Sequence, residues 1–415
     1  MNHKQKNLLK VKRIAAIPLL LIAAMTAGAQ QQIRIWHDGD DTRVPISANS
    51  ITYSTDGTTF ECNGNEYSVD KVDSITMVHI ITVNYSEGKA TVEKGNVMGV
   101  TYTVDGANVT IDNTNTHNEV EVVLQGNSND GSLTYNGQYK CKFYLNGLNL
   151  TSTVGAALNI QCGKRVDLII NPGTDNILTD AAGGTQKAAL YCKGHLEISG
   201  SGNLTVSGNT KHAIASKEYM QLKKSTGNIT IAKAAADAIH VGQYFIMNGG
   251  NINIDENTAN DGIQVEIITL DDDITPDPSK ENNHGTATFA GGSVKAVISH
   301  EDCKGIKCDG DINISGGTFD IKPTAGGSRG IQTDANMVVG NETGETNITI
   351  ATSGGKCTLT ECKADPHRCM GIKVDGNLTV NGGTIKVTHS KSSARDIKIG
   401  GTYTKNGGTV TGVIA

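Results

Sequence analysis

The chain has 415 residues, a formal net charge of −6, five Phe and a single Trp. So mild an acidity leaves no basic footprint for nucleic acid, and a core of this length cannot rest on aromatics. The 49 Gly against 7 Pro fit many tight turns and few breaks.

Residues 1–29 read as a secretory signal. Lys4, Lys6, Lys10, Lys12 and Arg13 form its basic end, residues 14–24 its apolar stretch, and Ala27-Gly28-Ala29 a cleavage site before Gln30. The apolar run is too short for a permanent membrane span, and no Cys near the cut offers a lipid anchor. The expectation is an exported protein, secreted or held at the cell surface, cleaved after Ala29. Residues 30–79 form a small β unit with an internal echo. Residues 36–52 end in Asn-Ser-Ile-Thr and residues 60–76 in Asp-Ser-Ile-Thr, 24 positions apart. Two hairpins are expected, too small to be stable alone and packed on the next segment. Residues 80–150, with irregular strands around Ile81, Val100 and Val120, are expected to cap the domain that fills 80–415. Its regular coils should start at 143–150.

From there a small residue followed by an aliphatic one recurs. It stands at Ala189-Leu190, Ala213-Ile214, Ala238-Ile239, Gly262-Ile263, Gly305-Ile306, Gly330-Ile331 and Gly371-Ile372, with Asp396-Ile397 as a variant. Most steps are 24 or 25 residues, and the two long steps contain inserts. Gly-Gly turns at Gly249, Gly291, Gly316, Gly382 and Gly407 keep the same beat. Period-two pairs such as Ile312/Ile314 and Phe319/Ile321 lie between the markers. Fixed-period repetition marks a solenoid, and alternation punctuated by Gly means short strands. The sequence therefore predicts an all-β chain whose coils of 24–25 residues stack as a parallel β-helix. The polar insert 271–280 is either a groove wall or a plain surface loop. Residues 409–415 show no cap, leaving the C-terminal coil end for a surface partner or a second copy.

The nine Cys all follow the signal. Cys162, Cys192 and Cys308 each stand two residues after an aliphatic (Ile160, Leu190, Ile306) and read as buried members of one stack. Cys303 and Cys369 are equivalent but two coils apart, about 10 Å, too far for a disulfide. One bridge is expected among Cys357, Cys362 and Cys369. The lack of a C-x-x-C pair argues against a zinc site.

Particular motifs carry a family resemblance. They are Leu124-Gln-Gly with Asp130-Gly131, Leu145-Asn-Gly-Leu-Asn-Leu-Thr-Ser, Ala156-Ala-Leu-Asn-Ile-Gln-Cys-Gly-Lys, residues 172–180, and 200–206 with Lys211-His-Ala-Ile214. From about Ile81 to the C-terminus the chain resembles a family of secreted bacterial carbohydrate-binding domains. The resemblance implies a right-handed β-helix like that of pectate lyases, binding of plant polysaccharide, and calcium. The family's repeated Asp-Gly-Ile survives as Asp237-Ala238-Ile239 and Asp261-Gly262-Ile263, whereas Lys304, Arg329, Met370 and Arg395 replace the acid in later coils.

Asp237 and Asp261 thus hold equivalent places in adjacent coils, where stacked carboxylates need a cation between them. Calcium is the expected ion, with His212, one coil earlier, ending the site. The other reading is a pair of solvated turn aspartates. Lys304, Arg329 and Arg395 before the doublets, with Lys307, Lys373 and Lys398 after them, make two cationic files. Lys304, Lys307, Arg329, Lys373 and Arg395 are the candidate ligand-binding residues, suited to the carboxylates of a polyuronate. The alternative is a charged edge that prevents sheet pairing, neutralised by Glu301, Asp302, Asp309 and Asp334. No catalytic residue is marked: Lys217, Lys307 or Arg329 would serve a lyase equally, and a glycosidase needs further carboxylates. The expected function is non-catalytic binding of an acidic plant polysaccharide with calcium, with no nucleic acid and no membrane span. A β-helix lyase or hydrolase is one alternative, and a structural surface shaft another.

Overall fold

The computed structural model of the chain describes residues 32–37, 40–45, 51–95, 97–270, 275–341, 345–363 and 367–415. The signal expected at 1–29 lies outside them. Helix among the described residues is confined to one 3-10 turn, Thr360–Cys362. The rest of the regular structure is strand, in sheets of 22, 12 and three strands.

The markers set the register of the 12-stranded sheet. Leu158, Leu190, Ile214, Ile239, Ile263, Ile306, Ile331, Ile372 and Ile397 pair each with the next across parallel strands. Every one is fully buried. The small residue before each marker leaves room for the stack. A Cβ on Gly330 would meet the Gly371 carbonyl oxygen at 2.6 Å and Ile350 Cγ2 at 2.8 Å.

The other two strands of each coil form the larger sheet. Ile312 and Ile314 lie over Met337 and Val339, then Leu378 and Val380. Phe319 and Ile321 lie over Ile348 and Ile350, then Ile385 and Val387. Strands Thr286–Ile298 and Ile312–Pro323 turn the corner between these rows without a break. They do so at Gly292 (φ +86°) and Gly317 (φ +100°), a conformation side chains resist. One apolar core then runs from Ile81 to Ile397. The chain is a solenoid of parallel strands, held by aliphatic files rather than by aromatics.

Several expectations change at the N-terminal end. Regular coils begin earlier than 143: strand Val120–Ser128 already pairs in parallel with both its neighbours. Ser132-Leu133 carries the marker there in place of an Ala or Gly doublet, and Tyr135, in the file of Ile160 and Cys192, fills the core edge to face with Phe143. Antiparallel strands Lys89–Glu93 and Val100–Asp105 close the two sheets as the cap. The small unit has its own core, including Ile33, Ile35, Phe60 and Val72. Strand Val72–Ser86 belongs to both bodies, so a boundary at 79 falls in mid-strand. Arg34 and Arg43 of the small unit both reach the buried Glu121 of the solenoid, Arg43 Nη1 at 2.6 Å.

Cys192 and Cys308 share a file, but Cys162 does not, because Ile160 pairs with Cys192. The true doublet of that coil is Ala157-Leu158, two residues earlier. Cys357 bonds to Cys362, and Cys369 is a free thiol beside Ser328, whose coil separates it from Cys303. At the C-terminus the last residues return to the sheet, with Ile397 N–H donating to the Val413 carbonyl and Ile399 N–H to that of Ala415.

Candidate functional site

Each strand of the 12-stranded sheet offers two outward positions, two residues before the marker and one after it. The first file runs Ala188, His212, Asp237, Asp261, Lys304, Arg329, Met370, Arg395. The second runs Asn159, Tyr191, Ala215, His240, Gln264, Lys307, Gln332, Lys373, Lys398.

In the first file an acceptor side chain serves the next coil's backbone. The Asp237 N–H donates to His212 Nδ1 at 3.2 Å, the Asp261 N–H to Asp237 Oδ1 at 3.2 Å, and the Lys304 N–H to Asp261 Oδ1 at 2.7 Å. An unpaired buried N–H is costly, so an acceptor is required here. Asp237 and Asp261 are each 2 % exposed, which removes the reading as solvated turn residues. A cation cannot accept, and the ladder ends at Lys304.

Around Asp237 the polar groups converge. His240 Nδ1 lies 2.8 Å from Asp237 Oδ2, and His240 Nε2 lies 3.0 Å from Glu266 Oε1. Asn260 Nδ2 donates to Asp237 Oδ1 at 2.6 Å. The His212 and His240 rings stack with centroids 4.2 Å apart. Burial opposes charge on His240, yet its bonds to Asp237 and Glu266 prevail and raise its pKa to about 9. Burial also pushes the Asp237 carboxyl up, but its contacts with the imidazoles, with His240 as the donor, outweigh it and hold that group well below the usual carboxylate range. Burial lowers the pKa of His212, so it stays neutral and its Nδ1 is free to accept the backbone N–H. Asp261 moves the opposite way, raised to about 6 by burial and by repulsion from Asp237 against the pull of Lys304.

Both Asp237 oxygens are thus engaged, and the side chains around it are two imidazoles and the Asn260 amide. This donor set does not suit calcium, which takes six to eight oxygens. The carboxylates are stacked as the sequence implies. What lies between them is the backbone N–H of Asp261.

Beside the cluster a cleft of about 260 Å³ opens, lined by Lys187, Tyr191, Lys211, His212, Lys217, His240 and Glu266. It continues into a shallower one of about 550 Å³ that shares Lys187, Tyr191 and Lys217 and adds Asn159, Gln161 and Lys193. The residues leading into the insert supply a wall: Ile268, Thr269 and Leu270 line the smaller cleft, and from the insert itself Lys280 pairs with Glu218. Gly242 makes this docking possible, since its Cβ would strike Ile268 Cγ1 at 2.7 Å.

The predicted cationic residues lie farther along. Lys304 and Lys307 are half-buried and Arg329 is buried. Asp302, one of the acids expected to neutralise the file, takes Arg329 Nη1 at 3.3 Å, His367 Nδ1 at 3.0 Å and Lys304 Nζ at 3.9 Å, and Asp309 interacts electrostatically with Lys307. Lys373 pairs with Asp375 at 2.7 Å, and Arg395 is exposed. The register brings these cations into files but not to the cleft. Residue-level reasoning missed His240, Glu266, Lys187 and Lys211. Reading the position after each doublet through every coil, as for Lys307 and Lys373, would have exposed His240.

Fold and face together define a β-solenoid with a polar, partly cationic cleft on one sheet. A family model described as carbohydrate-binding domain-containing protein matches residues 105–414, and the chain belongs to that family. A protein of the same description from Acetivibrio thermocellus is 30% identical over 118 residues, which span 26% of this chain and 41% of the relative. A solved structure of a polysaccharide lyase-like protein from C. thermocellum, a gadolinium derivative, aligns at TM-score 0.49 and 24% identity over 64% of this chain and 98% of that one.

Proposed function

We propose that this protein binds an acidic, polyuronate-type polysaccharide along the 12-stranded sheet and does not cleave it. The observation that carries this reading is the convergence of Lys187, Lys193, Lys211 and Lys217 on two adjoining clefts that share Tyr191. Ammonium groups spaced along stacked coils meet a polymer whose carboxylates also repeat. Stacking on neutral sugars is poorly served. Tyr219 and Tyr244 lie face to face at 4.7 Å with His195 on the other side of Tyr219, so these faces cover one another. Binding without cleavage is supported by the carboxylates near the cleft: Asp237 and Glu266 are both held by His240. In this reading the coils wind right-handed as in pectate-lyase-like solenoids, and export brings the protein to its polymer.

The test is binding of the exported form to polygalacturonate and to cellulose across a salt series, with the products examined. Saturable binding to polygalacturonate that weakens with salt, with no new chain ends, supports the proposal. Ultraviolet-absorbing unsaturated products would make the protein a lyase, and equal salt-independent binding to cellulose would remove charge recognition.

A further inference from the structure

We infer that His212, Asp237 and His240 form a binding site for a divalent transition ion of the zinc class. One ligand atom from each of His212, Asp237 and His240 lies within 4.8 Å of the other two. The carboxylate oxygen is 3.2 Å from His212 Nδ1 and 2.8 Å from His240 Nδ1. Ligands held about 2.0–2.2 Å from one ion stand roughly 3 Å apart, which is the spacing of these edges. Two imidazoles and one carboxylate form a nitrogen-rich set that suits zinc, cobalt or nickel rather than calcium or magnesium.

The surrounding groups are arranged as an outer shell. A ligating imidazole characteristically donates its other N–H to a carboxylate, and His240 Nε2 faces Glu266 Oε1 at 3.0 Å. A ligating carboxylate is fixed by bonds to its second oxygen, and Asp237 Oδ1 receives both Asn260 Nδ2 and the Asp261 N–H. Both rings line the 260 Å³ cleft, so a bound ion keeps an open side. On binding, the ion replaces the Nδ1 proton of His240, which passes to solvent, and takes the His212 Nδ1 lone pair, so its affinity is reduced by the cost of freeing the Asp237 N–H from its 3.2 Å bond. Cys spacing, which argues against a zinc site, carries no information on a His/Asp set spread over successive coils. A second cluster, Asp302 with Cys362 and His367, has no such standing, because Cys362 is in a disulfide and Asp302 is shared among cations.

The test uses tag-free exported protein, titrated with zinc by calorimetry and with cobalt by visible absorption. One ion per chain, a raised melting temperature and a cobalt ligand-field spectrum are expected. Asp237→Asn and His240→Gln should abolish all three, and Glu266→Gln should weaken binding by about 10–100-fold. Asp261→Asn, outside the proposed ligand set, should retain it, and millimolar calcium should not compete. His212→Gln serves if His240→Gln does not fold, with circular dichroism as the check. Absence of binding by the folded wild type, loss in Asp261→Asn equal to that in Asp237→Asn, or displacement by calcium would overturn the assignment.

Discussion

The sheet carries two stretches built on the same two outward positions, and they behave in opposite ways. From His212 to Asp261 the first file consists of acceptors that serve the next coil's N–H groups, and a walled cleft with lysines opens beside them. From Lys304 to Arg395 three of four members are cations, and Asp302 and Asp375 hold several of the cations on this stretch of the sheet. Equivalent register therefore tells which residues share a file, but not which can meet a ligand. Neighbouring acids and the wall at residues 268–270 decide that.

The largest effect tests what the two stretches have in common. Ile331→Asp or Ile306→Asp puts an unpaired charge into the buried file and should cost several kcal/mol, abolishing cooperative unfolding. A folded variant with wild-type circular dichroism would contradict the stack. Next, Asp302→Ala takes the carboxylate from the buried Arg329, which keeps its bond to Gln332 at 2.9 Å, and should cost about 1–3 kcal/mol. Asp375→Ala, which strips a more exposed pair, should change stability by less than about 1 kcal/mol in denaturant melts. Equal effects would mean that the second stretch is not organised around Asp302.

The acceptor stretch has a pH signature. The pKa of Asp261 is about 6 when folded, against an ordinary 3.8, so between those values the native state holds more protons than the unfolded chain. Stability from this group is full below about pH 4 and is lost as pH rises through about 6, by roughly 3 kcal/mol at most. Asp261→Asn keeps an acceptor for the Lys304 N–H and removes the titration. Relative to wild type it should gain stability from pH 4 to 7, whereas parallel pH curves would contradict the assignment.

The coil period, the buried isoleucine file and the two outward files were legible in sequence, because a stack repeats its constraints every 24 or 25 residues. What escaped was set by contacts that do not repeat. Cys162 was misplaced because Ala157-Leu158, not Asn159-Ile160, is the doublet of its coil. The early coils at Val120 were hidden because their marker is Ser132-Leu133 rather than an Ala or Gly doublet, with Tyr135 two residues on. Asp237 and Asp261 stood out, but their acceptor role depends on where a strand's N–H loses its partner. The cleft depends on residues 268–270, ahead of the insert, lying against Gly242, which no local pattern announces.

The most direct measurement compares charge reversals in the two stretches by affinity for polygalacturonate at low salt. Lys187→Glu with Lys211→Glu should reduce affinity at least about tenfold, since two favourable contacts become repulsive. Lys373→Glu with Arg395→Glu should change it by less than about threefold. Loss of binding in the second pair with affinity unchanged in the first would place the ligand on the predicted cationic files and contradict the cleft.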